Sequence, residues 1–276
     1  MLHIVACIKQ VPDTTQVRID PETNTLVREG IPAIINPFDL YGIETAMQIK
    51  DTYGGKVTLL AMGPPQAVEA LQKGLSYGAD RAILMTDGAF RGSDTLATSA
   101  ALTAGIRAIA KEQPIDVVIC GKQTIDGDTA QVGPGIATRL GYSQLTYVGK
   151  VESVDLEKRL IRVRRVLEGA EELLEAPLPV VLTVLKEIGE PRYASLPALI
   201  RGLRTPVPIW GVKNVEVSPD EVGLAGSPTQ VRRIFAPPQR TGGEIVSVDG
   251  DADRVANELL DRLIAAGVVE GASSNV

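Results

Sequence analysis

The sequence has little of the side-chain chemistry on which hydrolytic triads and metal centres depend. Its 276 residues include one histidine and two cysteines. A single imidazole, that of His3, excludes a histidine-based triad and a multi-histidine metal site. Cys7 and Cys120 each lie in an apolar, strand-like run, which favours two buried, reduced thiols over a disulfide or a metal pair. We therefore expect no metal site.

Long apolar runs and an excess of positive charge are missing as well. No segment approaches the roughly 20 apolar residues that a bilayer-spanning helix needs, so we expect no membrane span. The formal net charge is −6, which argues against binding to nucleic acid or to anionic membranes. The first residues enter an apolar run without a basic region, so we expect no signal peptide and a cytoplasmic location.

Strand-like and helix-like segments alternate through the first half of the chain. Four apolar runs predict buried strands, at 2–8, 57–62, 81–85 and 115–120. The segments between them carry apolar residues at helical spacing, and Ser93 is the predicted N-cap of the third helix. This alternation predicts right-handed βαβ units, and therefore an α/β fold with a doubly wound, largely parallel sheet.

The pattern changes from about residue 148. Alternating segments that suit a small antiparallel extension lie at 151–154, 160–166 and 172–174. The apolar run at 180–184 is expected to rejoin the main sheet. An amphipathic helix is predicted near 251–266.

Three further segments lack a regular core pattern. Residues 17–27 predict a β-hairpin whose turn residues supply the reversal. The proline-broken stretches 190–194 and 236–240 are either surface loops or arms laid on another subunit. On these residues alone, the ordinary loop is favoured.

A glycine- and aspartate-rich loop follows the strand at 115–120 and opens a helix. The carboxyl end of a parallel strand leading into a helix is a typical position for phosphate, because the first helical N–H groups have no internal partner. Here the N–H groups of Ala130, Gln131 and Val132 would hold it. The candidate binding positions are Gly121, Lys122, Gln123, Thr124, Ile125, Asp126, Gly127, Asp128, Thr129, Ala130, Gln131 and Val132.

Other strand ends would complete one cleft with this loop, since ligands of doubly wound sheets bind beside a topological switch. The additional candidates are Cys7, Asn36, Pro37, Phe38, Asp39 and Met62. Gln123 and Asn36 would read a base edge or a ribose, and Asp128 or Thr129 would cap the helix. There is no P-loop and no G-x-G-x-x-G after the first strand. The residues alone leave a nucleotide site and a well-capped turn equally supported.

Several motifs together resemble the small (beta) subunit of the electron-transfer flavoproteins. They are CIKQVP at 7–12, INPF at 35–38, GLSYGADRA at 74–82, the loop at 121–134, VRRVLEG at 163–169, LPVVLT at 178–183, EPRYASLP at 190–197 and PPQR at 237–240. The resemblance covers nearly the whole chain apart from its polar tail. It implies an adenine-nucleotide α-hydrolase-like fold with a C-terminal arm, and a heterodimer with a larger alpha subunit.

The resemblance also implies the occupant of the cleft. Conventional members of the family hold AMP there, and electron-bifurcating members hold a second FAD. The run 126–134 is similar to the bifurcating form, which favours FAD with NADH as the electron donor. One electron would then pass to the alpha-subunit flavin and the other to ferredoxin or flavodoxin. A conventional carrier with structural AMP and an adenine-nucleotide-binding regulatory module stay open as alternatives. Arg164 or Arg165 would place a cation near a reduced flavin.

The resemblance finally divides the chain by role. It implies a nucleotide- or flavin-binding α/β domain over 1–187, and a recognition loop with an extended arm over 188–250. Periodicity predicts the C-terminal helix over 251–266, and the small polar residues after it predict a disordered tail over 267–276. Docking to an acyl-CoA dehydrogenase or another flavin dehydrogenase is expected at Glu190, Arg192, Tyr193 and Leu196.

Overall fold

A central sheet with its first strand in the middle organises the protein. A computed structural model describes residues 1–13, 32–232, 242–243 and 250–269. The strands are β1 (His3–Ile8), β2 (Gln10–Pro12), β3 (Ala33–Ile35), β4 (Lys56–Met62), β5 (Arg81–Met85), β6 (Val117–Gly121), β7 (Ser143–Asp155), β8 (Leu160–Leu167), β9 (Ala170–Pro177), β10 (Val180–Val184) and β11 (Ile209–Trp210). The helices are α1 (Pro37–Tyr53), α2 (Val68–Ser76), α3 (Thr95–Glu112), α4 (Val132–Leu140), α5 (Leu196–Arg204) and α6 (Ala252–Ala265).

The nine-stranded sheet has the order β11-β5-β4-β1-β6-β10-β7-β8-β9. Strands from β11 to β7 pair in parallel, and β8 and β9 add an antiparallel edge. From β1 the chain moves outward through β4 to β5, then returns to the other side of β1 with β6. This reversal at β1 is a topological switch. The predicted parallel sheet, its antiparallel extension and the return of 180–184 as β10 are confirmed.

Helices cover both faces of the sheet, so the doubly wound arrangement is confirmed. All six residues of β1 are buried, as a strand covered on both faces requires. On one face α1 and α2 pack through residues such as Ile43 and Leu71. On the other face α3 and α4 pack through Ile106 and Ile136.

Two local expectations were wrong. The side chain of Asp94, not that of Ser93, caps α3 by accepting the N–H groups of Leu96 and Ala97. The Ser93 hydroxyl instead donates to the Phe90 carbonyl at 2.8 Å, within the preceding turn. Strand β7 starts at Ser143, well before the expected 151, because a bulge at Tyr147 (φ 56°) hides its alternation.

Some expectations fall on residues outside the described ranges. These are the hairpin at 17–27, the PPQR motif at 237–240 and the tail from 270 onward. Strands β2 and β3, which border the first of these, pair with each other in antiparallel fashion.

Two helices lie in the C-terminal third. Helix α5 follows the proline-broken stretch 190–194, and Ser195 caps it by accepting the Ala198 N–H. Helix α6 matches the helix predicted near 251–266, and Asp251 caps it by accepting the Arg254 N–H.

The chain divides into two compact units, Met1–Ile234 and Phe235–Val276. The finer division by role at residue 187 stays a prediction. Among the described residues, no helix combines the length and apolarity that crossing a bilayer demands.

Candidate nucleotide-binding site

The candidate site lies at the carboxyl ends of three neighbouring strands. Cys7 stands opposite Leu60 of β4 on one side and Cys120 of β6 on the other. Met62 ends β4, and Gly121 ends β6. The chain then continues through residues 122–131, here called the nucleotide loop, into α4. The structure therefore brings the predicted strand-end residues together beside the topological switch at β1.

Asn36 fastens the nucleotide loop to the start of α1. Its Nδ2 donates to the Gln123 carbonyl at 2.8 Å, and its Oδ1 accepts the Ile125 N–H at 3.2 Å. The residue is completely buried. Both ends of this amide are thus engaged by loop backbone, so Asn36 shapes the site in this structure by holding the loop.

Asp39, in the first turn of α1, lies below the same loop. Its carboxylate accepts the Lys9 N–H at 2.7 Å and is buried. Burial raises its pKa to about 7, although the Asn36 side chain and the backbone N–H groups of Lys9 and Gly121 favour the charged form. A Cβ on Gly121 would lie 2.5 Å from Asp39 Oδ1, so glycine is required for this close approach.

The carboxylates of the loop are internally compensated. Lys9 Nζ binds both oxygens of Asp126, at 2.9 and 2.7 Å. Partial burial opposes the charge of Asp126, but the Lys9 ammonium, together with hydrogen bonds from Thr124 and the backbone, lowers the pKa of that carboxyl. The Gln123 amide donates to Asp128. The repulsion that two aspartates would exert on a phosphate is reduced by these contacts. Lys9 lies directly after β1, at a strand end predicted to form one wall of the cleft, but its contact with Asp126 was not predicted.

The end of the loop has an unusual backbone. Asp128 and Ala130 adopt positive φ angles of 52° and 56°, which non-glycine residues rarely do. The expected cap at Asp128 or Thr129 is wrong, because these left-handed residues extend the loop and α4 begins only at Val132. Gln131 occupies the N-cap position, yet its side chain makes no cap hydrogen bond and instead accepts from the Thr95 hydroxyl.

The two thiols lie opposite each other on β1 and β6. Both are free and buried, as predicted. A hydrogen bond with the Cys7 thiol, together with burial, raises the pKa of the Cys120 thiol well above its ordinary value. The Cys120 thiol is therefore protonated and a poor nucleophile.

Arg164 and Arg165 are already paired on the antiparallel edge. Arg164 binds Glu152 and Glu171, and Arg165 binds Glu172 together with the Thr146 carbonyl. At these two positions the structure offers no uncommitted cation for a flavin.

The four predicted recognition residues behave differently from one another. Glu190 is exposed, and Tyr193 and Leu196 are 98% and 69% exposed. Arg192 is drawn back onto α1, where Glu44 accepts three of its hydrogen bonds. Glu44 was not predicted, because an acidic residue within an amphipathic helix gives no signal of a partner 148 positions away.

Comparison with known proteins places the whole chain. The sequence model described as "Electron transfer flavoprotein domain" matches residues 23–213. "Protein FixA" of Azotobacter vinelandii is 50% identical over 269 residues, covering 95% of this chain and 94% of that protein. "Caffeyl-CoA reductase-Etf complex subunit CarD" of Acetobacterium woodii is 45% identical, with coverages of 95% and 98%. "Electron transfer flavoprotein subunit beta" of Clostridium acetobutylicum is 46% identical, with coverages of 89% and 92%.

Proposed function

This chain belongs to the electron-transfer flavoprotein family as a beta-type subunit that pairs with an alpha subunit, and on that premise we propose that its nucleotide loop holds FAD. We further propose that this FAD takes electrons from NADH for electron bifurcation. The matched length, the 45% identity to a subunit of a caffeyl-CoA reductase–Etf complex and the similarity of residues 126–134 to the bifurcating form support the proposal.

The loop backbone is the observation that carries the proposal. Left-handed conformations at non-glycine residues cost on the order of 1–3 kcal/mol each and concentrate at ligand clamps. Asp128 and Ala130 both adopt them directly before α4, whose N-cap side chain leaves the first turn without a cap. Such a helix start accepts an anion, and a phosphate group of FAD is an anion of this kind.

The proposed roles follow from the contacts. The first turn of α4 and the loop N–H groups bind phosphate, while Lys9 neutralises Asp126 at the rim. Cys7, Met62 and the 36–39 turn form the floor and wall. When bound, FAD supplies acceptance of an electron pair and its release as single electrons, for which the protein provides position and electrostatics. The single electrons would pass to the alpha-subunit flavin and to ferredoxin or flavodoxin.

We also propose that residues 189–204, here called the docking segment, bind the acceptor, an acyl-CoA dehydrogenase or another flavin dehydrogenase. Helix α5 buries only Gly202. Its apolar side chains at Leu196, Leu199, Ile200 and Leu203 are exposed, and exposed apolar patches of this kind mark protein interfaces. Arg201 and Arg204 in its last turn favour an acidic acceptor surface.

Extraction of the purified heterodimer tests the cofactor. We expect two FAD per heterodimer, one of them reduced directly by NADH. One FAD with one AMP would overturn bifurcation and support a conventional carrier. Adenine nucleotide without any flavin would favour the regulatory module.

A substitution tests the place of binding. Ala130→Trp should lower the flavin content of the heterodimer from two to one, since the indole fills the space against the loop. Ala170→Trp, at an exposed position of β9, is the matched control and should keep two. Full occupancy in Ala130→Trp would place the cofactor elsewhere.

A further inference from the structure

Arg192 is anchored within its own chain by an extensive set of bonds. Its Nε and its main-chain N–H both donate to Glu44 Oε2, at 2.8 and 3.1 Å. Its Nη2 donates to Glu44 Oε1 at 3.1 Å, and its Nη1 lies 2.9 Å from Asp51 Oδ2. All three guanidinium nitrogens are therefore directed at carboxylates. The planar fork leaves such a side chain little freedom.

Glu44 is the buried partner of this anchor. Its side chain is 7% exposed, whereas that of Asp51 is 56% exposed. Burial opposes ionisation of Glu44, but the hydrogen bonds from the Arg192 side chain and main chain, the Arg192 charge and a hydrogen bond from Gln48 together lower the pKa of the carboxyl. A buried carboxylate that loses its partner is strongly destabilised. Glu44 and Arg192 thus depend on each other, while Asp51 contributes from the solvent side.

A second contact fixes the far end of the docking segment. A Cβ on Gly202 would lie 2.6 Å from the Gln72 carbonyl of α2, so α5 approaches α2 closely at this glycine. Gln72 Nε2 also donates to the Leu203 carbonyl at 3.0 Å. The exposed residues Tyr193 and Leu196 lie between this contact and the Arg192 anchor.

From these contacts we infer that Arg192 is a positioning residue, which fastens the docking segment to α1 through Glu44 and does not itself contact the acceptor. Its guanidinium is committed to α1, whereas the next residue, Tyr193, is almost fully exposed. The inference rests on the docking role proposed above for this segment. It gives the four recognition residues two different roles. Glu190, Tyr193 and Leu196 face the acceptor, and Arg192 determines where they stand.

Hydrogen–deuterium exchange of the heterodimer tests the anchor without any acceptor. Glu44→Gln and Arg192→Lys should each accelerate amide exchange in 190–200 by about tenfold, because the buried charged fork is lost. Asp51→Asn removes only the exposed partner and should change exchange by about twofold or less. Exchange in the nucleotide loop should stay as in the wild type. Unchanged exchange of 190–200 in both Glu44→Gln and Arg192→Lys would overturn the inference.

Kinetics with a purified acyl-CoA dehydrogenase separate positioning from contact. Glu44→Gln should raise KM for this acceptor as much as Arg192→Lys does, with kcat and the NADH-driven flavin reduction unchanged. A higher KM in Arg192→Lys alone would show direct contact with the acceptor and overturn the inference.

Failure of the docking proposal would look different. Leu196→Ala would then leave KM unchanged, while the exchange difference in Glu44→Gln would persist and support the anchor.

Discussion

The nucleotide loop and the docking segment are fastened to the same helix by different chemistry. At the start of α1, the neutral amide of Asn36 holds loop backbone, and Asp39 beside it has a pKa of about 7. Glu44 lies eight residues after Asn36, roughly 12 Å along the helix axis. There its charged carboxylate binds the charged guanidinium of Arg192. A change of pH near neutrality therefore acts on the nucleotide end of α1, while the ion pair at the docking end keeps its charges.

The largest expected effect comes from Asp39→Asn. The folded-state pKa of Asp39 is about 7 and its unfolded value is 3.8, so the native state retains the proton between them and wild-type stability falls as pH rises through this window. Over the whole interval from pH 3.8 to about 7, the wild type loses about 4 kcal/mol of unfolding free energy in this way. Asparagine cannot ionise. In thermal unfolding of the heterodimer, the stability of Asp39→Asn relative to the wild type should therefore increase from pH 5 to pH 8.

Glu44→Gln is the control for that experiment. The pKa of Glu44 is lowered from 4.5, so its contribution is complete above that pH and is lost only as pH falls further. Its offset from the wild type should stay constant between pH 5 and pH 8. An Asp39→Asn curve that is parallel to the wild-type curve would mean that Asp39 is already ionised at pH 5.

Asn36→Ala should loosen the nucleotide loop and leave the docking segment unchanged. The Gln123 carbonyl and the Ile125 N–H would lose their partner, at a cost of about 2 kcal/mol. We expect a lower melting temperature and reduced FAD content, measured by absorbance per heterodimer. Amide exchange in 190–200 should match the wild type, and a change there would show that α1 transmits the disturbance.

Ala130→Gly should relieve backbone strain at one residue of the nucleotide loop. Glycine adopts φ near 56° without the Cβ penalty, so relief of about 1 kcal/mol is expected. The greater chain entropy of glycine offsets part of it. Thermal unfolding of flavin-depleted heterodimer is the measurement, with Gly127→Ala, at a position without a positive φ, as the control for chain entropy. A lower melting temperature in Ala130→Gly would mean that strain at this residue is negligible.

The smallest effect belongs to Lys9→Met. The pair with Asp126 is partly exposed, so it contributes less than about 1 kcal/mol to stability. Affinity for FAD should nevertheless fall measurably, because Asp126 would then face the phosphates with an uncompensated charge. Lys158→Met, which removes another partly exposed pair far along the chain, serves as the control and should change neither quantity. Unchanged FAD affinity in Lys9→Met would place Asp126 away from the phosphates.

Local periodicity predicted most of the sheet, since the apolar runs at 57–62 and 180–184 can only be buried strands in such a pattern. Ends of elements were less predictable. The hydroxyl of Ser93 and the carboxylate of Asp94 are both suited to cap α3. Only the backbone geometry determines that Asp94 does so. The start of α4 depends on the left-handed backbone of Ala130, which an alanine in the sequence does not predict. Helix α5 did carry a signal, a serine cap followed by Pro197 at the second helical position.

Long-range polar partners set the limit of prediction for the site. The strand-end positions of Cys7, Met62 and Gly121 follow from topology, so their meeting at one edge of the sheet was predictable. The contacts of Asn36 with residues 87 and 89 positions away, and of Glu44 with Arg192, arise only when α1 is packed. A local sequence pattern cannot predict polar contacts that form only through tertiary packing.

The central place of β1 also sets an order of events on the ribosome. The strand leaves the exit tunnel before both of its neighbours, and β6 follows about a hundred residues after it. At about 5–20 residues per second, this apolar strand waits on the order of 10 s for its second edge to be paired. During that interval one edge of this apolar strand stays unpaired in the nascent chain. Binding of a chaperone to stalled chains should therefore persist until β6 has emerged and then decline.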